Sequence, residues 1–206
     1  MRDLLSAAGV LSDLDGVLVS SRDSVVRAWT RFADRHGIPR ARVLEATFAG
    51  PSREVVRVVR PDADVDDEAA LVEGWQVEDT EGVHALPGAA DLLAMVPADR
   101  LAVVTSCSGP LARARLAASG LEAPATMVTA DMVRAGKPDP EGYLRAAALL
   151  GVAPVDCVVI EDAPAGVRAG RAAGARVIGV ASTHPASELA EADAVVPSLA
   201  ALTSAG

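Results

Sequence analysis

A short apolar stretch near the N-terminus, residues 9–19 (GVLSDLDGVLV), contains two acids one residue apart, Asp13 and Asp15, followed by a glycine. A continuous apolar run bounded by a turn residue is typical of a buried strand. In a parallel sheet, sites open at the carboxyl ends of such strands. Two acids placed there cost desolvation and mutual repulsion unless a cation joins them. By itself, the stretch fits either a solvated acidic turn or a functional site.

From residue 86 onwards, segments with strand character alternate with segments with helix character. Alternating strands and helices predict a doubly wound parallel sheet, hence an α/β fold. The predicted strands are residues 101–105, 126–129, 155–161, 176–180 and 194–196, and the predicted helices are residues 89–95, 110–119, 140–150 and 164–173.

The intervening region, from about residue 20 to residue 85, has no convincing strand pattern. Its apolar residues recur at helical spacing, which predicts helices over residues 24–36, 39–48, 52–59 and 66–76. We expect this insert to lack a rich core of its own and to pack on the α/β unit. The predicted organisation is a core domain of residues 1–17 and 87–206 with a small all-helical domain of residues 18–86 inserted into it.

Charge and composition exclude several classes of function. The chain has 206 residues, half of them hydrophobic, and a net charge of -9, so it has no electrostatic footprint for nucleic acid or for anionic membranes. No stretch approaches the ~18–20 apolar residues of a membrane span, and the N-terminus does not resemble a signal peptide. Cys107 and Cys157 form no CxxC motif, which favours reduced thiols and a cytoplasmic location.

Polar side chains follow three further predicted strands. Thr105 and Ser106 end one strand, Glu161 and Asp162 end another, and Lys137 lies in the loop after a third. Lys137 is the single lysine beside 18 arginines, which favours a function that needs a compact ammonium. Because the carboxyl ends of parallel strands share one edge of the sheet, these groups are expected to converge with Asp13 and Asp15.

The converging groups suit phosphoryl transfer. Asp13 and Asp162, with the backbone carbonyl of Asp15, are hard oxygen ligands of the kind that Mg²⁺ prefers. The hydroxyl and backbone N–H groups at Thr105 and Ser106, together with the Lys137 ammonium, can hold phosphoryl oxygens. One carboxylate can then attack phosphorus, and a second carboxyl can protonate the leaving oxygen and later activate water.

These segments resemble the four motifs of the haloacid dehalogenase superfamily. The resemblance implies a Rossmann-like core, a mobile helical cap formed by the insert, Asp13 as nucleophile and Asp15 as general acid and base. It also implies that Thr105, Ser106 and Lys137 bind the phosphoryl group. Mg²⁺ would be held by Asp13, the Asp15 carbonyl and Asp162, with Glu161 nearby or acting through water. The matching segments are DLDGV at 13–17, VTS at 104–106, GKPDP at 136–140 and IEDAPAG at 160–166.

Within that superfamily, the sequence resembles the sugar and polyol phosphatases, including the 2-deoxyglucose-6-phosphate and glycerol-phosphate phosphatases. The dehalogenase branch lacks the acid that stands here at Asp15. Phosphonoacetaldehyde hydrolases need an amine in the cap, and this insert has no lysine. The β-phosphoglucomutases typically have a histidine early in the first cap helix, where residues 23–26 read DSVV. Ser20 lies in the hinge into the cap, at a position where the phosphatase group usually has an aspartate. This departure affects the expected geometry of the hinge and the closure of the cap, and not the chemistry.

In the insert, Arg53 is the candidate for contact with a substrate oxyanion, in a loop that begins at Ala49, although it also fits a solvated helix residue. Glu73 could contact sugar hydroxyls, and solvation of the helix face is the simpler interpretation. His184 has no obvious partner and is expected at the surface. Gly166 and Gly170 are interpreted as close packing of a helix on the sheet.

The predicted function is a Mg²⁺-dependent phosphatase of small phosphorylated sugars or polyols that works through an aspartyl-phosphate at Asp13. One alternative is a sugar phosphomutase similar to β-phosphoglucomutase. Another is a regulator that binds a phosphoryl group without turnover. The expected partner is a small phosphorylated sugar or polyol, with no nucleic acid and no membrane, and the chain is expected to be a monomer in the cytoplasm.

Overall fold

A six-stranded parallel sheet forms the centre of the computed structural model, which describes residues 7–47 and 50–203. The strands in chain order are β1 (Gly9–Ser12), β2 (Val19–Ser20), β3 (His84–Ala85), β4 (Leu101–Val104), β5 (Thr126–Val128), β6 (Cys157–Glu161), β7 (Arg176–Val180) and β8 (Ala194–Val196). The spatial order of the large sheet is β5-β4-β1-β6-β7-β8, so that β1 pairs with β4 on one side and with β6 on the other. The predicted doubly wound α/β fold is therefore confirmed.

Helices cover both faces of this sheet and make up most of the insert. In chain order the helices are α1 (Arg22–His36), α2 (Arg40–Thr47), α3 (Ser52–Val59), α4 (Val65–Glu78), α5 (Ala89–Met95), α6 (Gly109–Ala118), α7 (Glu141–Leu150), α8 (Pro164–Ala172) and α9 (Ala200–Thr203). None of the helices in residues 7–47 and 50–203 is long and apolar enough to cross a membrane.

Alternate side chains of the strands feed two apolar layers. Val10 of β1 packs in the layer that includes Leu92 and Leu116, whereas its neighbour Leu11 packs on the other face with Tyr143 and Val167. This is the period of two expected for strands that are buried on both faces. Because both faces of β1 are covered, its polar groups are confined to its carboxyl end.

The helical insert has an apolar cluster of its own, contrary to the expectation that it would lack one. Trp29 and Phe32 of α1 pack in this cluster with Val43, Val56 and Val72. The two aromatic rings meet edge to face with their centroids 5.1 Å apart, a favourable geometry for such a pair. The insert also packs on the α/β unit, through α4 and α6.

Several boundaries differ from the sequence predictions. A short antiparallel ribbon pairs Val19 with Ala85 where only helices and linkers were expected, because two short polar-flanked segments carry too few residues for a periodic signal. The short helix α9 was also missed. Of the predicted helix over residues 39–48, the structure has Arg40–Thr47, and Phe48 lies outside the described residues, as does Ala49 of the loop before Arg53.

Gly170 supports the interpretation of a helix packed closely on the sheet. A Cβ at this position would lie 2.9 Å from a methyl carbon of Val177 and 3.0 Å from one of Val159. Gly74 provides a contrast. It lies in helix α4, and a Cβ built on it would have no atom within 4 Å apart from its chain neighbours and the backbone of its own helix.

We expect Gly170→Ala to lower the free energy of unfolding by about 1 kcal/mol, because the ~1–3 kcal/mol cost of overpacking exceeds the gain in helix propensity. The matched variant Gly74→Ala should raise it by about 0.5–1 kcal/mol, since only the propensity changes. Urea unfolding of both variants measures the difference, and shifts of the same sign would contradict the packing interpretation.

Candidate active site

The loop after β1 begins the site. The backbone N–H of Asp13 donates to the carbonyl of Ile160 at 2.9 Å, which extends the pairing with β6 by one residue and buries the carboxylate. Gly16 then adopts φ of 83°, and a Cβ there would collide with the carboxylate of Asp162. Glycine is thus required both by the backbone angle and by the closeness of the second acid.

Lys137 joins the ends of three strands. Its ammonium forms ion pairs with Asp13 and with Glu161, the latter at 2.6 Å, and donates to the carbonyl of Val104 at 3.1 Å. Its side chain is 14% exposed. Burial by itself would lower the pKa of Lys137, but Asp13 and Glu161 raise it well above its usual value, so that the lysine stays charged.

Glu161 is buried at the end of β6 and has several hydrogen-bonding partners. Besides Lys137, it accepts a hydrogen bond from the hydroxyl of Tyr143 at 2.6 Å and one from the backbone N–H of Asp162 at 3.1 Å. A Cβ at Gly166 would collide with its carboxylate. Gly166 therefore lets α8 pack closely on the end of β6, as expected from its spacing, and the group for which it makes room is the Glu161 carboxylate.

Asp162 completes a group of three buried acids. The hydroxyl of Thr183 donates to its carboxylate, and Nδ1 of His184 lies 3.1 Å from its carbonyl oxygen. Burial, followed by the charge of Glu161, raises the pKa of Asp162 to about 7. Burial also raises the pKa of Asp13 well above its usual value; Lys137 opposes this shift, while Glu161 and Asp162 add to it.

The three acids fit a divalent cation. Asp13, Glu161 and Asp162 each offer one carboxylate oxygen, and these oxygens all lie within 4.8 Å of one another. When ionised, the three carboxylates carry three negative charges against the single positive charge of Lys137. Buried charges of one sign are costly without a counter-ion. A small, hard dication with oxygen ligands, such as Mg²⁺, suits this donor set.

Asp15 lies apart from this cluster, with other partners. Its carboxylate accepts from Nη1 of Arg115 at 2.6 Å and from the hydroxyl of Ser21 at 2.7 Å, and the thiol of Cys107 lies 3.1 Å away. Its side chain is 28% exposed, unlike the buried acids. The two acids of the opening stretch therefore have separate environments. The metal contact predicted for the Asp15 carbonyl stays a prediction.

Thr105 and Ser106 follow β4, next to β1 in the sheet. The backbone N–H of Thr105 donates to Val128 at 2.9 Å, and its hydroxyl oxygen accepts from the N–H of Cys107 at 3.1 Å. Thr105 is buried and Ser106 half-buried. Lys137 reaches the carbonyl of Val104, directly before them. The structure thus places all three predicted phosphate ligands at one edge of the sheet, and their roles stay predictions.

The insert reaches this edge through helix α4, and not through Arg53. Glu73 accepts from the backbone N–H of Ser108 at 3.2 Å, and Gln76 accepts from Nη2 of Arg115 at 2.5 Å. Arg53 instead forms an ion pair with Asp66 at 2.8 Å within the insert, and its side chain is 57% exposed. The structure therefore does not bring Arg53 to the other candidates.

Besides Ser21, which contacts Asp15, sequence reasoning missed four residues of this site. It also expected no partner for His184, whose Nδ1 lies 3.1 Å from the carbonyl oxygen of Asp162. Arg115 had a usable signal, because Leu111, Ala112 and Leu116 place it on the apolar stripe of α6. An arginine on a buried stripe needs a buried partner. The missed residues are Arg115, Gln76, Tyr143 and Thr183.

Comparisons with known proteins identify the family of this chain. A family model described as haloacid dehalogenase-like hydrolase matches residues 7–174. The chain belongs to the haloacid dehalogenase-like hydrolase family. This confirms the resemblance drawn from the four motifs, and with it the expectation of an enzyme.

Individual relatives match over nearly the whole chain. The protein named hexitol phosphatase A of Escherichia coli (strain K12) is 44% identical, over 95% of this chain and 93% of that protein. The β-phosphoglucomutase of Bacillus subtilis (strain 168) is 30% identical, over 94% and 91%. A solved structure of a hydrolase from Pseudomonas syringae is 27% identical, covers 94% of both chains and has a TM-score of 0.78.

We expect Mg²⁺ to raise the melting temperature of the wild-type chain, because a ligand that binds only the folded state stabilises it. Asp162→Asn should abolish that rise, since it removes one donor of the cluster. The same variant should melt higher than wild type in EDTA, because one of three crowded carboxylates becomes neutral. Asp62→Asn, at an exposed position of the insert, serves as the control and should behave as wild type. A Mg²⁺-dependent rise that persists in Asp162→Asn would contradict the assignment.

Proposed function

We propose that this chain is a Mg²⁺-dependent phosphatase that hydrolyses phosphomonoesters of small sugars or sugar alcohols. The observation that carries the proposal is the position of Asp13, held between the Lys137 ammonium and a buried pair of acids, with Asp15 beside it in a separate environment. The similarity to the protein named hexitol phosphatase A supports this substrate class.

In this proposal, Asp13, Glu161 and Asp162 hold the metal, together with the backbone carbonyl of Asp15. When bound, Mg²⁺ supplies positive charge to the phosphoryl oxygens and to the acids around it. Lys137, which contacts Asp13, would hold a phosphoryl oxygen beside that acid, and it stays charged because of Asp13 and Glu161. Thr105 and Ser106 donate to the remaining phosphoryl oxygens at the end of β4.

The first step transfers the phosphoryl group to the enzyme. A carboxylate oxygen of Asp13 forms a bond to phosphorus, and the bond from phosphorus to the sugar oxygen breaks. Asp15 donates its proton to that oxygen, so the sugar leaves as an alcohol. The product on the protein is an aspartyl-phosphate at Asp13.

The second step returns the enzyme to its first state. Asp15, now ionised, takes a proton from a water molecule, whose oxygen bonds to phosphorus as the bond to Asp13 breaks. Inorganic phosphate leaves, and Asp15 is protonated again. The sum is one ester and one water converted into one alcohol and one phosphate.

The position of Glu73 favours a substrate whose leaving group is uncharged and rich in hydroxyl groups. Its carboxylate lies against the backbone N–H of Ser108, and Cys107, one residue earlier, contacts Asp15. A helix N-terminus attracts anions, and here an acid of the insert already accepts from Ser108, the residue directly before α6. A second phosphate group on the substrate would meet like charge at this point, whereas sugar hydroxyls can donate to it.

The mutase alternative stays open, because one relative is named β-phosphoglucomutase. A mutase returns the phosphoryl group to a sugar, whereas a phosphatase gives it to water. Product analysis separates the two: free phosphate equal to the free sugar indicates hydrolysis, and an isomeric sugar phosphate indicates a mutase. A regulator without turnover is disfavoured by membership in a hydrolase family and by the presence of Asp15.

We also propose that residues 1–17 and 87–206 form the catalytic unit and that residues 18–86 form its cap. The separate apolar cluster of the insert supports this division. Closure of such a cap would exclude water from the site during the first step. The cytoplasmic location and the monomeric state stay predictions.

We expect Asp13→Asn to lower the rate of phosphate release by about 10⁴-fold or more, as loss of a nucleophile does, because an amide cannot form the aspartyl-phosphate. The assay is release of inorganic phosphate from a hexitol phosphate in the presence of Mg²⁺. Circular dichroism should show that the variant is folded and melts cooperatively at the assay temperature or above, which separates lost chemistry from lost folding. The exposed substitution Asp99→Asn should keep wild-type turnover, and near-wild-type turnover in Asp13→Asn would exclude the proposed nucleophile.

The position of Glu73 predicts a preference for monophosphates over bisphosphates. We expect wild type to hydrolyse fructose 6-phosphate with a higher kcat/KM than fructose 1,6-bisphosphate. Glu73→Gln should lower the ratio of kcat/KM for the monophosphate to kcat/KM for the bisphosphate by about 10-fold. The substitution removes the negative charge that repels the second phosphate group and keeps the size of the side chain. The exposed Glu78→Gln on the same helix is the matched control. An unchanged ratio in Glu73→Gln would show that Glu73 does not select the substrate.

A further inference from the structure

Arg115 is a buried cation that the four motifs do not include. It lies on α6, and its side chain is 5% exposed. One terminal nitrogen donates to Asp15 at 2.6 Å and to the sulfur of Cys107 at 2.8 Å, and the other donates to Gln76 at 2.5 Å. The guanidinium thus links the proposed acid and base to a helix of the insert.

The contacts give each oxygen of Asp15 a hydrogen-bond partner. Arg115 donates to Oδ2. The hydroxyl of Ser21 lies 2.7 Å from Oδ1, where it donates to the ionised acid and can accept from the protonated acid. A carboxylate bonded at both oxygens is restrained in both its position and its rotation. Gln76 is also buried, and its side-chain oxygen restrains the arginine in turn. Arg115 has a planar fork of donors that can serve two acceptors together, which a lysine lacks.

The third guanidinium nitrogen of Arg115 is not hydrogen-bonded to the protein. This nitrogen, Nε, is buried and has no hydrogen-bond partner. Among the buried side-chain nitrogen and oxygen atoms of the described ranges, it is the one for which this holds. An unsatisfied buried N–H costs about 1–3 kcal/mol. The side chain therefore keeps its contacts with Asp15 and Gln76 at the expense of its own hydrogen bonding. A buried donor without a partner calls for an explanation, and the two short contacts of the terminal nitrogens, with Asp15 and Gln76, show what fixes the guanidinium in this place.

We propose that Arg115 is the positioning residue for Asp15, and that Gln76 of the insert makes this positioning depend on the docked position of helix α4. The proposal rests on the proposed phosphatase function, in which Asp15 protonates the leaving oxygen. Arg115 itself does not touch the substrate in this scheme. It acts by holding the Asp15 carboxyl where the sugar oxygen leaves.

The leaving group distinguishes positioning of Asp15 from general support of the fold. An alkoxide is strongly basic, so a sugar alcohol needs a proton as its bond to phosphorus breaks. The p-nitrophenolate anion leaves without one. Because kcat/KM covers the steps from free enzyme to release of the leaving group, it reports this difference and excludes the later attack of water.

The experiment compares kcat/KM for a hexitol phosphate with kcat/KM for p-nitrophenyl phosphate, using the full chain with Mg²⁺. We expect Arg115→Met to lower the value for the hexitol phosphate by about 100-fold, the scale of general acid catalysis, and that for p-nitrophenyl phosphate by less than about 10-fold. Arg113→Met, at an exposed position of the same helix, should leave both values within about twofold of wild type.

Equal loss on both substrates in folded Arg115→Met would overturn the proposal, since general damage to the site lowers both. If that variant does not fold, Gln76→Leu replaces it, because it removes the partner of Arg115 without removing the charge. Its expected loss on the hexitol phosphate is about 10-fold, within the range of coupled neighbouring residues, again with a smaller loss on p-nitrophenyl phosphate. Equal loss on both substrates in Gln76→Leu would also overturn it.

A double-mutant cycle tests the connection through Arg115. If Gln76 acts on Asp15 by way of the arginine, adding Gln76→Leu to Arg115→Met should produce no further loss on the hexitol phosphate. Additive losses would contradict the connection. Hydrolysis by the wild type is measured first: its absence would refute the phosphatase function, whereas an unchanged substrate ratio in active variants would refute only the role of Arg115.

Discussion

The ion pairs of Lys137 with Asp13 and Glu161 are the contacts on which the site depends. They join the carboxyl ends of β1 and β6 to the loop that follows β5, and the ammonium also bonds the end of β4. One cation cannot neutralise three buried acids, so the same arrangement that holds the strand ends together leaves negative charge for a dication. The stability of the site and its affinity for a metal therefore have one electrostatic origin.

The second acid of the opening stretch belongs to a different network. Asp15 is two residues from Asp13, yet it contacts Arg115, Ser21 and Cys107 rather than the metal cluster. In the proposed reaction one carboxyl attacks phosphorus and the other transfers a proton, and separate partners hold each carboxyl in position for its own step. Through Arg115 and Gln76, the network of Asp15 extends into the insert, whereas the network of Asp13 is confined to the sheet edge.

Much of the fold and of the first network could be predicted because the signals are local. Continuous apolar runs predicted the parallel strands. The residues after these strands, directly for Asp13 and Asp162 and within the following loop for Lys137, predicted the converging groups. The ribbon of β2 and β3 could not be predicted, since two residues carry no period. Arg53 was a plausible candidate by position in the chain, but its partner Asp66 is set by the packing of α3 against α4.

The sequence by itself determined the parallel α/β fold, the helical insert and the chemical groups at four strand ends, because each depends on local apolar pattern and chain order. Only the tertiary structure decided which charges meet. The pairing of Arg115 with Asp15 joins residues 100 positions apart, and the contacts of Glu73 and Gln76 depend on how α4 docks on α6. Such contacts depend on the angles and distances between packed elements, which no pattern along the chain encodes.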